Sequence, residues 1–413
     1  MNIYAVIILV AILGRLAIEL ASLWLNIRSL SAEAPEPLAG LYDPEKYRKS
    51  QEYTRVHTRF GIVEEIFSLA VLLIFWFAGG FNWLDQALRG LQLSSIFTGV
   101  LYIGILVLAG SLLSVPFSLY STFVIEERFG FNRTNLRTFV LDRMKGLALS
   151  ALLGIPLLIV VLWFFGREGS LAWLYCWIIA TLFTLAVQFI APVWIMPLFN
   201  KFTPLPEGDL KDRVSEYAHR VRFVFKDISV MDGSKRSSKA NAFFTGFGKN
   251  RRIALFDTLI EQQTVPELVA VLAHEIGHYK KGHVLQGMVI GVLHTGILFY
   301  LLSLFLNNRG LFDAFYVQHV SVYGSLLFFG LLYEPISFVL SILMNAFSRK
   351  HELEADRYAA QTVGDREEIV SALKKLSVRN LSNLTPHPFH VFLHYSHPPL
   401  LQRIRSIRDY RSS

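Results

Sequence analysis

Seven stretches of this chain stay apolar for about twenty residues each, the length an α-helix needs to cross the hydrocarbon core of a bilayer. They cover residues 3–25, 60–78, 96–117, 146–165, 171–196, 284–306 and 320–343. Lipid offers no partner to a backbone N–H or C=O, so each such run must bond internally as a helix. The composition agrees with a membrane protein: 53% of the 413 residues are hydrophobic and only 17% are charged, against about a quarter charged in soluble domains. The second run is the least regular, because Glu64 and Glu65 enter its first turn. The first begins at Ile3 without a basic leader, which argues for a retained membrane helix rather than a cleaved signal peptide.

Basic residues then set the orientation, since short cytoplasmic loops carry the excess of Lys and Arg. The first loop holds Arg28, Lys46, Arg48, Lys49 and Arg55, and the third holds Arg128, Arg133, Arg137, Arg143 and Lys145. The second, fourth and sixth loops hold only Arg89, Arg167 and Arg309 respectively. This alternation places the N-terminus outside and puts the odd loops, the segment after the fifth helix and the C-terminus in the cytoplasm. The net charge of +8 is thereby spent on topology. No groove-reading motif accompanies it, so nucleic acid is not an expected partner.

The expected organisation is residues 1–199 as helices one to five with their loops, 200–283 as a cytosolic catalytic segment, 284–346 as helices six and seven, and 347–413 as a C-terminal cytosolic segment. Cys176 is the one cysteine and lies inside an apolar run, so neither an intrachain disulfide nor a thiolate metal cluster is available.

Chemistry concentrates in His274-Glu275-Ile276-Gly277-His278. Two imidazoles four residues apart on a helix project from one face and can hold one metal ion, with the intervening Glu placed to act on a metal-activated water. The helix should begin near Pro266, a residue suited to a first helical turn. The alternative is a pair of core histidines bonded to backbone or carboxylates. A hydrolytic zinc site takes three protein ligands and leaves one position open, and the downstream cluster Glu352-Leu353-Glu354-Ala355-Asp356 offers two candidates for the third. Glu352 and Glu354 point about 200° apart on a helix, so only one can face the metal. Asp356 shares the face of Glu352 and can orient a ligand histidine through its outer nitrogen. That favours Glu352 as ligand and Asp356 behind it, with Glu354 solvated or structural. One Zn2+ is the expected cofactor, Glu275 the expected general base, and peptide hydrolysis the expected reaction.

With these residues in hand, the chain resembles the integral-membrane CAAX prenyl endopeptidases, the sterile-24 type of gluzincin. The likeness spans most of the sequence. It is carried by the run from Phe123 to Asn132, by Pro197-Leu198-Phe199-Asn200-Lys201-Phe202, and by the run from Asn241 to Phe247 with that from Arg252 to Leu259. The two metal motifs and His397-Pro398-Pro399-Leu400-Leu401-Gln402-Arg403 complete it. The resemblance implies a mostly α fold: a seven-transmembrane-helix bundle enclosing a water-filled chamber, with a cytosolic zincin-like α+β catalytic region. It also implies Glu352 as third ligand, His397 as an oxyanion stabiliser and Arg403 as a support of the site. Asn241, Ala242, Phe243 and Phe244 fall on its substrate-side strands. Residues around Gly246 and Gly248 suit an edge strand with which an extended peptide can pair, or else an ordinary hairpin bounded by Gly248-Lys249-Asn250.

The expected partners are a peptide or protein substrate, prenylated or not, and the lipid bilayer; oligomeric state is not legible. The expected membrane is the inner membrane of a bacterium or the endoplasmic reticulum of a eukaryote. A runner-up is a membrane-protein quality-control metalloprotease without prenyl specificity, against which seven spans argue. A seven-helix receptor or transporter with a structural His and Glu cluster is the alternative from another class. Arg15, Glu19, Gln188, His294 and Glu334 fall inside apolar runs and should face water or each other, with Arg15 and Glu19 at pairing distance in sequence. His283 and His294 lie outside the metal-binding register.

Overall fold

The computed structural model describes residues 1–31, 33–35, 38, 40, 43–167, 169–245 and 251–409. Seven helices are long and apolar enough to cross a membrane: Ile3–Arg28, Pro44–Phe77, Ser95–Phe129, Leu136–Arg167, Gly169–Phe199, His283–Phe305 and Val322–Thr362. Polar side chains start several of them. Asn2, Asp43 and Ser321 each accept a hydrogen bond from a backbone N–H in the first turn, satisfying donors that a helix leaves orphaned. In each span the most apolar stretch is only 6 to 17% buried by protein. Such low burial leaves most of each apolar stretch uncovered by protein, as helices that face lipid require.

The helix Val322–Thr362 extends well beyond the apolar run expected for the seventh span. It runs unbroken past residue 347, so Glu352 to Asp356 lie on the same helix as the seventh span. Polar residues took over the surface of the helix without ending it, because nothing between Ser348 and Asp356 breaks a helix.

One end of the bundle is closed by two short helices, Gly80–Arg89 and Arg309–Ala314. Trp76, Phe81, Phe312, Phe315 and Phe328 fill the space beneath them, all buried. The Trp76 indole donates to the Ala314 carbonyl at 2.8 Å. Asp85 is fully buried there and is neutralised by Arg89 at 2.8 Å, with the Tyr323 hydroxyl donating at 2.5 Å. A buried carboxylate is tolerated when it is paired in this way.

A four-stranded sheet lies at the other end: β1 (Phe202–Pro204), β2 (Asp227–Met231), β3 (Ala242–Thr245) and β4 (Arg252–Phe256). Its order is β1-β2-β4-β3, with β2 and β4 parallel and the outer pairs antiparallel. Ile253, Ala254 and Leu255 of β4 are buried, as a central strand covered on both faces demands. β3 is an edge. Gly246 and Gly248 to Asn250, to which an edge strand or hairpin was also assigned from sequence, lie outside the described residues, as does the side chain of Phe244.

Side chains tie this sheet to the bundle. Arg236 makes a two-point ion pair with Asp142 at 2.7 and 3.0 Å and also donates to the Phe199 carbonyl at 2.7 Å. Lys239 pairs with Glu126 at 3.0 Å, and Glu126 accepts from Tyr53 at 2.6 Å. Inside the bundle Arg15 pairs with Glu334 at 3.0 Å and Glu65 at 3.4 Å. Its sequence neighbour Glu19 faces His394 at 3.3 Å instead. Side-chain direction, which spacing along one helix does not supply, selected partners from other helices.

Candidate metal centre

The helix Val265–Lys280 carries the histidine pair. Thr264 and Glu267 form a reciprocal capping box, and Pro266 occupies the first turn, so its start is strongly specified. Leu268, Ala270, Leu272, Ala273 and Ile276 are buried and hold it against the sheet and the C-terminal helices. Glu267 is itself buried, where Ser371 and Lys375 donate to it at 2.6 and 2.7 Å. Burial alone would raise its carboxyl, but the bonds from Lys375, Ser371 and the Thr264 N–H outweigh this and hold it below the ordinary glutamate range.

This helix crosses the long helix Val322–Thr362 at Gly277. A Cβ there would stand 3.1 Å from both the Cα and the carbonyl oxygen of Ala355, and 3.2 Å from Tyr358 Cβ. Glycine against alanine lets the backbones approach closely enough for side chains of both helices to meet. His274 Nε2 lies 3.2 Å from His278 Nε2. The Glu352 carboxylate reaches both, at 3.4 Å from His274 and 3.3 Å from His278. One donor atom from each of His274, His278 and Glu352 lies within 4.8 Å of the others, the arrangement a metal ion can occupy.

Around this trio, Asp356 Oδ1 sits 2.8 Å from His274 Nδ1 and is fully buried. Arg403 grips both oxygens of Asp356, at 2.8 and 2.6 Å. His397 stands with Nε2 3.3 Å from Glu352 Oε1 and is more than half exposed. Its Nδ1 is 2.9 Å from the Ser396 hydroxyl. The segment bearing it is held by Arg349, which donates to the carbonyls of Val391 and Tyr395 at 3.1 and 2.5 Å. Burial pushes the Glu275 carboxyl up, opposed by the neighbouring imidazoles His274 and His278.

The donor set suits a divalent cation. Glu352 Oε2 is buried and accepts no hydrogen bond; it lies 3.4 Å from His274 Nε2, while Oε1 lies 3.3 Å from His278 Nε2. Burial disfavours a charge on His274, yet the Asp356 and Glu352 carboxylates outweigh it and lift the imidazole to about 9. A cation held between the two rings and Glu352 would leave both imidazoles neutral. Two imidazoles and a carboxylate are a hydrolytic zinc donor set.

β3 packs beside the histidine helix. Asn241 immediately precedes the strand and is exposed; its backbone carbonyl accepts from the Phe256 N–H at 3.1 Å. Ala242 and Phe243 pair with Leu255 and Ala254 of β4, and the Phe244 backbone pairs with Ile253. That leaves the other side of β3 without a strand among the described residues. Sequence reasoning missed two contacts. Glu354, expected to be solvated or structural, bonds His283 at 3.0 Å, and His283 in turn lies 3.0 Å from His278 Nδ1. Gly282, two residues beyond the helix end and directly before His283, was the available signal.

Comparison with known proteins covers the whole of this architecture. Residues 24–201 match a family model described as the CAAX prenyl protease N-terminal region with five membrane helices. Residues 204–411 match peptidase family M48. A CAAX prenyl protease 1 homolog from Arabidopsis thaliana is 35% identical, covering 93% of each chain. CAAX prenyl protease 1 of Saccharomyces cerevisiae is 34% identical over 92% of this chain and 89% of its own, and the Homo sapiens homolog is 30% identical over 94% and 91%. The crystal structure of S. mikatae Ste24p superposes with a TM-score of 0.93 at 32% identity, covering 99% of this chain and all of that one.

Proposed function

Because the chain belongs to the integral-membrane CAAX prenyl endopeptidases of peptidase family M48, we propose that this multi-pass metalloendopeptidase is zinc-dependent and cleaves near a farnesylated C-terminal cysteine. The observation that carries the zinc assignment is the meeting of His274, His278 and Glu352 around an orphaned carboxylate oxygen. When bound, zinc supplies Lewis acidity toward a water molecule and a scissile carbonyl.

The chain's own groups do the rest. Glu275, beside the first imidazole, takes the proton of the attacking water at its carboxylate and returns it to the leaving amine. Asp356 accepts the Nδ1–H of His274 and keeps Nε2 free for the metal. Arg403 holds Asp356 in place and so acts as a positioning residue. Ser396 donates to His397 Nδ1, which leaves Nε2–H available for the oxyanion that develops on the substrate. An extended peptide adding to the free side of β3, along Asn241, Ala242, Phe243 and Phe244, is brought beside the histidine helix by backbone bonds.

The substrate class rests on the relatives, which carry the name CAAX prenyl protease 1. The loop charges support a cytoplasmic site and C-terminus with the N-terminus on the opposite face, in the endoplasmic reticulum of a eukaryote or the inner membrane of a bacterium. Purified protein should cleave a farnesylated Cys-aliphatic-aliphatic-any peptide, lose that activity to a chelator and regain it with zinc. Equal cleavage of the unprenylated twin would remove the lipid-specific part of the proposal and favour a quality-control protease.

A further inference from the structure

We propose that His283 and Glu354 form a relay that orients His278 and fixes the tautomer in which it binds metal. The proposal rests on the assignment of His274, His278 and Glu352 as a metal centre. His274 has its orienting partner in Asp356; the corresponding partner of His278 is a histidine that no ligand motif includes.

The geometry begins with a break in the chain. The histidine helix ends at Lys280, and Gly282 adopts the left-handed conformation with φ of +71° before the helix His283–Phe305 starts. Five residues along a continuous helix would turn His283 about 140° from His278. The left-handed step, easy for glycine, instead swings the ring back until the two Nδ1 atoms lie 3.0 Å apart. His283 is almost wholly buried and stacks flat on His351, with centroids 3.9 Å apart and an interplanar angle of 7°. His351 is held in turn by Gln286, whose Oε1 lies 3.0 Å from its Nε2. The His283 ring therefore has one orientation.

The hydrogens follow from the inventory of donors. Glu354 Oε2 lies 3.0 Å from His283 Nε2, and an ionised carboxylate only accepts, so Nε2 carries the proton. A neutral His283 then presents a lone pair at Nδ1, and His278 must donate its Nδ1–H to it. That leaves the lone pair of His278 on Nε2, which faces His274 Nε2 and Glu352. Each link sets the next, from Glu354 through His283 to the ligand nitrogen. Metal-binding histidines are ordinarily anchored through their second nitrogen, and loss of such an anchor weakens metal binding about 10- to 100-fold.

The test is zinc affinity by competition with a chromophoric chelator, using the purified full-length protein in detergent. His283→Ala should weaken binding at least tenfold relative to wild type. His283→Asn places an acceptor oxygen near the old Nδ1 position and should recover most of the loss, whereas His283→Leu restores volume without an acceptor and should not. Glu354 is one-third exposed, so its variants test the same relay without disturbing the core. Glu354→Ala should weaken binding severalfold, with Glu354→Gln, which keeps an acceptor, near wild type. A folded His283→Ala protein that binds zinc within twofold of wild type would overturn the relay, as would equal losses for Asn and Leu. If His283 variants fail to fold, a Glu354→Ala protein indistinguishable from wild type overturns it. A wild-type protein that binds no zinc would instead overturn the metal centre itself.

Discussion

Gly277→Ala is the sharpest probe of how the two halves of the centre are brought together. The added methyl would sit 3.1 Å from the Cα and carbonyl oxygen of Ala355, whereas nonbonded carbon contacts settle at about 3.5 Å or more. Backbone atoms cannot rotate away, so the helices must separate by about 0.4 Å. Overpacking of this kind costs about 1–3 kcal/mol, while replacing a mid-helix glycine returns about 1 kcal/mol of helix propensity. The net destabilisation is therefore modest, about 0–2 kcal/mol by the difference of those ranges. Metal binding should suffer more, because ligand distances tolerate only about 0.2 Å of error. We expect zinc affinity to fall by about tenfold or more, comparable to losing a ligand's anchor, while Tm moves by a few degrees. The control is Gly287→Ala, where nothing lies within 4 Å of the new Cβ. A Gly277→Ala protein whose zinc affinity and Tm match those of Gly287→Ala would show that close helix packing is not what aligns the ligands.

Two further outcomes follow. Glu275→Ala should retain bound zinc by metal analysis yet lose turnover by at least about 10²- to 10⁴-fold, the usual weight of a general base; an active purified mutant would contradict its role. Glu267 is held below the ordinary glutamate value of about 4.3, so its contribution is fully present above that pH and is lost as pH falls through its depressed folded value. Glu267→Gln should accordingly be less stable at neutral pH by about 1.5–3 kcal/mol, the weight of bonds to a charged group. Denaturation midpoints of the two proteins should converge on acidification, and a constant gap would refute the assignment.

The seven membrane helices were legible because a bilayer tests each segment alone: about twenty apolar residues either satisfy their own backbone or do not cross. The same locality explains the start of the histidine helix, where Thr264, Pro266 and Glu267 are adjacent in the chain. Where a helix ended was harder to see. The seventh span outruns its apolar surface as far as Thr362, because hydropathy marks the exit from lipid and is silent on whether hydrogen bonding continues. Arg15 shows the corresponding gap for polar groups: spacing offered Glu19, but the bundle supplied Glu65 and Glu334.

By itself, the order of amino acids determined that His274 and His278 share one helical face with Glu275 beside them, and that the chain crosses the bilayer repeatedly. Those are short-range consequences of helical period and of apolar length. Only the packed molecule decided that Gly277 lies against Ala355, that Glu352 thereby comes within 3.4 Å of both imidazoles, and that His283 turns back onto His278. Such meetings depend on how closely two helices approach and how a single left-handed glycine redirects a chain. Neither quantity is written in the spacing of residues along one strand of sequence.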